Sequence, residues 1–258
     1  MELHLLPHRE KKPRLSGATM VMDKGLGIRQ AMDLVDSAGH LIDYIKLGFG
    51  TSMVGRQIKE KVRLFRNHDI KVFVGGTLFE AFLIRDQFDD YRRYIDALGC
   101  DAAEVSDGSI ELPHEEKCHL ISRLTKDYLV LSEVGAKDAG VHISNEEWTG
   151  SMTAELAAGS SYVIAEARES GTVGIYGQNG SADENLIELI QTHVPAEKII
   201  WEAPLKQQQV WFIRQSGANV NLGNISPDSV AALETLRLGL RGDTFFTFLP
   251  EELKQQRT

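Results

Sequence analysis

The chain has 258 residues, 42% of them apolar and 25% charged, with a net charge of −9. That length allows one large α/β domain or two small ones, and the composition is that of an ordinary globular protein. An acidic chain without a basic stripe argues against nucleic acid as a partner, and no run approaches the ~18 apolar residues that a membrane span needs. The two cysteines, Cys100 and Cys118, are widely set and match neither a metal spacing nor a disulfide scaffold. They read as reduced thiols. With no apolar leader in "MELHLLPHREKKPRLSG", the expected location is cytoplasmic.

Short β-type runs follow one another along the chain, each trailed by a helix-length amphipathic pattern. The first is "ATMVMD", ending at Asp23, and the second is "IDYIKLG", carrying Lys46. "IKVFVGG" is third and "DAAEVSD", with Glu104, is fourth. The fifth, "LVLSEV", carries Glu133, and a Gly-turned loop behind it presents Lys137. "YVIAEA" ends near Glu166, "KIIWEA" near Glu202, and "NVNLGN" carries Asn221. The spacing, roughly 30 residues, suits one βα unit each. Helix starts are predicted at Thr77, Ser144 and Ser181, each followed three residues later by Glu, and at Ser226 before Pro227. "SVAALETLRLGL" places Val230, Leu233, Leu236 and Leu240 on one helix face. "ESGTVGIYGQNG" reads as a long loop after the sixth strand.

Eight such units without a linker predict a single α/β domain over residues 1–258, a (β/α)8 TIM barrel. Residues 1–16 form an N-terminal extension and 247–258 a C-terminal tail. No GxGxxG follows a strand, which argues against a doubly wound dinucleotide fold. The outer helices, "FEAFLIRDQF" among them, are apolar enough to suggest a homo-oligomer.

Four consecutive strands, in "AAEV", "LSEV", "IAEA" and "IWEA", end in a glutamate. Strand C-termini of a barrel surround one mouth, so Glu104, Glu133, Glu166, Glu202 and Asp23 are candidate ligands of a hard divalent cation such as Mg2+. Lys46, Lys137 and Arg168 are the candidate basic groups. Lys46 is the better placed for a Schiff base and Lys137 for proton exchange, while Arg168 can fork onto a phosphate or sulfonate. Asn221, Gly223 and Asn224, ahead of the last helix, offer a second anion-binding spot. Side-chain parity along each strand is left open by the sequence.

"KKPRLSGATMVMDKGLG", "DYIKLGFGTS", "VFVGGTLFE", "LSEVGAKD", "EARESGTVGI" and "ALETLRLGLRGDTF", running in order from about Lys12 to Phe246, resemble the phosphosulfolactate synthase (ComA) family. The resemblance implies a (β/α)8 barrel that adds sulfite to phosphoenolpyruvate with Mg2+, giving (2R)-phospho-3-sulfolactate, an early step toward coenzyme M in archaea. It implies a lysine as general acid, which falls on Lys137. Plant heat-stress-associated proteins share the resemblance without an established synthase activity, and another barrel lyase acting on a phosphorylated enol or keto acid is a further reading. One departure stands out: Val173 occupies a loop position where the family pattern has glycine.

Overall fold

In a computed structural model that describes residues 3–135, 143–168 and 170–255, eight parallel strands form the wall of a barrel. They are β1 (Thr19–Asp23), β2 (Tyr44–Leu47), β3 (Lys71–Val74), β4 (Ala102–Val105), β5 (Leu129–Val134), β6 (Tyr162–Ala165), β7 (Ile199–Glu202) and β8 (Leu222–Ile225). Their order is β3-β2-β1-β8-β7-β6-β5-β4. β3 and β4 close the ring through Asp101, whose N–H donates to the Val72 carbonyl (3.3 Å) and whose Oδ1 accepts from Val72 N–H (2.9 Å).

Period-2 alternation divides each strand between two environments. One face looks into the barrel, where Met20, Tyr44, Phe73, Ala102, Leu131, Ile164 and Ile200 form a small apolar plug. The other face looks outward. Val21, Ile45, Val72, Ala103, Val130, Val163 and Trp201 there join the larger core beneath the helices. The helix Phe88–Leu98 buries Phe88, Tyr91, Ile95 and Leu98, an apolar stripe at helical spacing. Two residues beyond each plug residue, the inward positions are Met22, Lys46, Gly75, Glu104, Glu133, Glu166 and Glu202. The polar mouth is therefore the next layer of the same side-chain stack.

The opposite end is fastened by arginine. Arg9 pairs with Glu234 (2.9 Å) and donates to the carbonyl of Gly17 (3.0 Å), and Arg14 holds both oxygens of Asp43 at 3.0 Å. Arg237 is fully buried and donates to the carbonyls of Ala218 (2.7 Å), Val220 (2.6 Å) and Ala18 (3.3 Å). Burial, helped by the nearby Arg9 charge, lowers its pKa to about 9. Asn221 belongs to this end. Its Oδ1 accepts from Ala18 N–H (2.9 Å) and its Nδ2 donates to the Ile199 carbonyl (3.0 Å), joining the starts of β1 and β7.

The expected helix starts meet the structure unevenly. Ser144 caps the helix Asn145–Ala157 reciprocally with Glu147, and Ser226 precedes a short 3-10 turn with Pro227 at its first position. The helix expected to start at Thr77 begins at Gly76, and Glu80 is spent on a hydrogen bond from Ser106. Asp183, not Ser181, caps Glu184–His193, because its carboxylate reaches Leu186 N–H (3.1 Å). The last long helix ends at Arg237, so Leu240 falls outside it and is 44% exposed.

Arg237→Met would remove the donor to the Val220 carbonyl and one of two donors from the carbonyls of Ala218, which Arg9 also reaches (3.1 Å), and Ala18, which Leu222 N–H also reaches (3.0 Å). We expect it to lower unfolding free energy by about 3 kcal/mol, as for other broken buried polar networks. Urea titration measures this, and a loss below about 1 kcal/mol would show that the latch is replaceable.

Candidate active site

Lys46 stands at the centre of the polar layer. Its Nζ lies 2.8 Å from Glu133, 3.0 Å from Glu104 and 3.4 Å from Glu202, and it is almost fully buried. Burial acts to lower its pKa. The charges of Glu104, Glu133, Glu202 and Glu166 outweigh that and hold it well above the usual lysine range. The side chain is therefore a fixed ammonium, which argues against the Schiff-base chemistry that needs a free amine.

Glu104, Glu202 and Glu166 are also held by backbone or amide donors. Glu104 Oε1 accepts from Gly76 N–H (2.7 Å) at the start of the helix Gly76–Leu83. A Cβ on Gly76 would stand 2.5 Å from that oxygen, so the contact requires glycine. Glu202 Oε2 accepts from Ala167 N–H (3.1 Å) and from Asn224 Nδ2 (3.4 Å). Glu166 Oε1 accepts from Arg168 N–H (2.8 Å). Carboxylate oxygens of Glu133, Glu166 and Glu202 lie within 4.8 Å of one another. Burial, then repulsion from Glu133 and Glu202, pushes the Glu166 carboxyl well above the carboxylate range. Burial raises Glu202 too, against the pull of Lys46.

Four carboxylates against one ammonium leave an excess of negative charge in a dry place. Such a cluster holds protons or recruits a cation. The donors of the triad are all oxygen, so the residues fit a hard divalent ion of the Mg2+ type. A cavity of about 470 Å3 opens above them, lined by Met22, Phe49, Gly75, Thr77, Arg168 and Asn224 in addition to the charged residues. A larger cavity, about 1080 Å3, lies at the other end of the barrel. There Arg14 is paired with Asp43, and Lys71 and Arg66 with Asp101. The buried charge rather than the volume identifies the site.

Lys46, Glu104, Glu133, Glu166, Glu202, Arg168 and Asn224 meet around this one cavity. Two of the residues expected there are elsewhere. Asp23 faces outward because Met22 takes the inward position: its Oδ1 accepts from Gly25 and Leu26 N–H, and its Oδ2 pairs with Lys61 (2.6 Å). Asn221 is at the far end, as described above. Gly223 faces inward but lower, where a Cβ would meet Met20 at 2.4 Å, so it makes room for the plug. Lys137 lies outside the described residues. Gly135, two positions before it, has φ +139, and a Cβ there would stand 2.5 Å from that of Glu166. Among the described residues of the loop after β6, Arg168, Gly171, Gly174 and Gly180 have positive φ and Val173 does not, so valine is accommodated. Sequence reasoning did not assign the glycine pair Gly75-Gly76 or the rim residue Phe49, although "VFVGGTLFE" and "LGFGTS" contain them.

The family model for (2R)-phospho-3-sulfolactate synthase (ComA) matches residues 7–243. A phosphosulfolactate synthase of Methanothermobacter thermautotrophicus is 44% identical over 246 residues, covering 93% of this chain and 95% of the relative. One from Bacillus subtilis is 40% identical, covering 93% of this chain and 97% of the relative. Among solved structures, a 3-hexulose-6-phosphate synthase superposes with a TM-score of 0.53 at 16% identity, covering 85% of this chain and 98% of that one. A 3-keto-L-gulonate-6-phosphate decarboxylase of Vibrio cholerae gives 0.52 at 12%, covering 91% and 100%. Likeness at that identity speaks for the barrel alone. The extent and identity of the sequence matches are decisive: this chain is an enzyme of the (2R)-phospho-3-sulfolactate synthase (ComA) family.

Proposed function

We propose that the protein is itself a phosphosulfolactate synthase, adding sulfite to phosphoenolpyruvate with Mg2+ to give (2R)-phospho-3-sulfolactate. The observation that carries this reading is the buried Lys46 with its glutamates at one mouth, in a chain 44% identical to a relative of that name. The sulfur lone pair of sulfite forms the C–S bond at C3. The C2–C3 π pair moves toward C2 and the carboxylate, and C2 then takes a proton. Glu133, Glu166 and Glu202 would hold the Mg2+, which as a Lewis acid supplies positive charge to the substrate carboxylate.

The remaining work belongs to the chain. Lys46 keeps a fixed positive charge at the cavity floor, where charge develops as the π pair shifts. Arg168, at the exposed rim, binds the incoming anions and offsets the repulsion between them. Lys137 delivers the proton to C2 from one face and so sets the stereocentre. The buried floor limits the water that could compete for the carbanion-like centre.

Phosphorus-31 NMR of the protein with phosphoenolpyruvate and sulfite should show a new phosphate ester that requires Mg2+. Lys137→Ala should slow it by about 100-fold or more, in the range for a lost general acid. Turnover equal to wild type would remove that residue from the mechanism, and no product at any Mg2+ concentration would remove the activity.

The raised Glu166 pKa has a signed consequence for stability. A carboxyl raised in the folded state favours folding below the ordinary carboxylate range, and that contribution is lost as pH rises through the raised value. In chelator, Glu166→Gln should therefore melt higher than wild type at pH 8, with the gap closing toward pH 4. Added Mg2+ should raise the wild-type Tm by roughly a few degrees and leave the variant unmoved. Thermal scans at the two pH values decide it, and an unstabilised variant would show that the carboxyl is not under repulsion.

A further inference from the structure

Each glutamate of the mouth sits where the ladder on one side of its strand is missing or has ended, although Glu104, Glu133 and Glu202 still pair on the other side. The last rung between β4 and β5 joins Val105 to Ser132, one residue before Glu133. That between β5 and β6 joins Val134 to Ala165, one before Glu166. That between β6 and β7 joins Ala165 to Trp201, one before Glu202. Glu104 is on β4, which shares no ladder with β3. Beyond the last rung a buried carbonyl needs a donor from outside the sheet.

All four carbonyls have one. Lys117 Nζ donates to Glu133 O (2.7 Å), Tyr176 OH to Glu202 O (2.8 Å), Ile175 N–H to Glu166 O (3.2 Å) and Tyr91 OH to Glu104 O (3.4 Å). Lys117, Tyr176 and Tyr91 are buried behind the barrel wall and do not line the cavity. Lys117 is itself fixed by Glu155 (2.8 Å) and Asp107 (2.9 Å), so its charge is compensated where it stands. The ammonium thus reaches the active glutamate only through its backbone.

We infer that Lys117, Tyr176 and Tyr91 are positioning residues for the reaction, tethering the peptide planes from which Glu133, Glu202 and Glu104 project. The inference rests on the proposed use of those glutamates. A tethered carbonyl fixes the backbone torsions that aim the side chain beside it. Productive sites tolerate only about 0.5 Å of slack, and a misplacement of about 1 Å can cost 100-fold in rate. Tyr176 and Lys117 make the shorter bonds and carry most of the effect.

Tyr176→Phe is the test, because it deletes one oxygen and keeps the buried ring. We expect kcat to fall about 10-fold with KM for phosphoenolpyruvate nearly unchanged, since positioning acts on the transition state. A crystal structure of the variant should show the Glu202 carboxylate displaced by about 1 Å. The pair Lys117→Met with Glu155→Gln, which leaves no lone charge at the fully buried Glu155 and parts only the more exposed Asp107 from its ammonium, should displace Glu133 likewise. Wild-type kcat with unmoved carboxylates in both would overturn the inference, as would a lower melting temperature with unchanged kcat, which is the mark of a merely structural tether. Were wild type inactive with sulfite and phosphoenolpyruvate, the functional reading would fall. The carboxylate positions would still decide the tethering.

Discussion

One ammonium group holds the mouth of this barrel together. Lys46 Nζ, on β2, reaches across to glutamates on β4, β5 and β7. Without it, four carboxylates would converge in a place with little water to screen them. Burying a lysine is unfavourable by itself, and burying several glutamates together is worse. Each makes the other tolerable, and the compensation is incomplete, as the raised Glu166 carboxyl shows. That residual negative charge is what the proposed Mg2+ would neutralise.

The rest of the mouth follows from this cluster. Close packing around charged groups leaves no room for extra carbon. Gly76 presses its N–H onto Glu104, Gly135 lies against Glu166, and a Cβ at Gly174 would fall 1.9 Å from the Glu166 carbonyl. These glycines belong to loops far apart in sequence, yet each meets a glutamate of the ring. The backbone carbonyls of the same glutamates are tied from behind. The carboxylates are thereby constrained at both ends.

The arginine latch and the proposed site lie at opposite ends of the barrel, as is usual for this fold. At the lower end, Arg237 satisfies carbonyls left over where strands begin, and Arg9 and Arg14 bind the N-terminal segment across the base. Arg9 and Arg14 have fixed carboxylate partners there, Glu234 and Asp43. The apolar plug between the two ends insulates one from the other. Loops above the plug can vary without loosening the latch below it.

By itself the sequence determined the eight βα units, the glutamates late in four consecutive strands, Lys46 in the second strand, and the family resemblance. These are local properties: apolar runs, their spacing and the polar residue that ends each one. Only the tertiary structure decided which side chains face the mouth. Strand side chains alternate with period 2, so an uncertainty of one residue in phase sends a carboxylate to the wrong side. Asp23 was lost to the helix layer for that reason while its neighbour Met22 entered the mouth, and Asn221 went to the far end while Asn224 entered. The donors behind the wall were equally hidden. Lys117 is 16 positions from Glu133, and Tyr176 is 26 from Glu202. Nothing local marks such pairs, because only the closing of the barrel brings a helix or a returning loop onto a strand end.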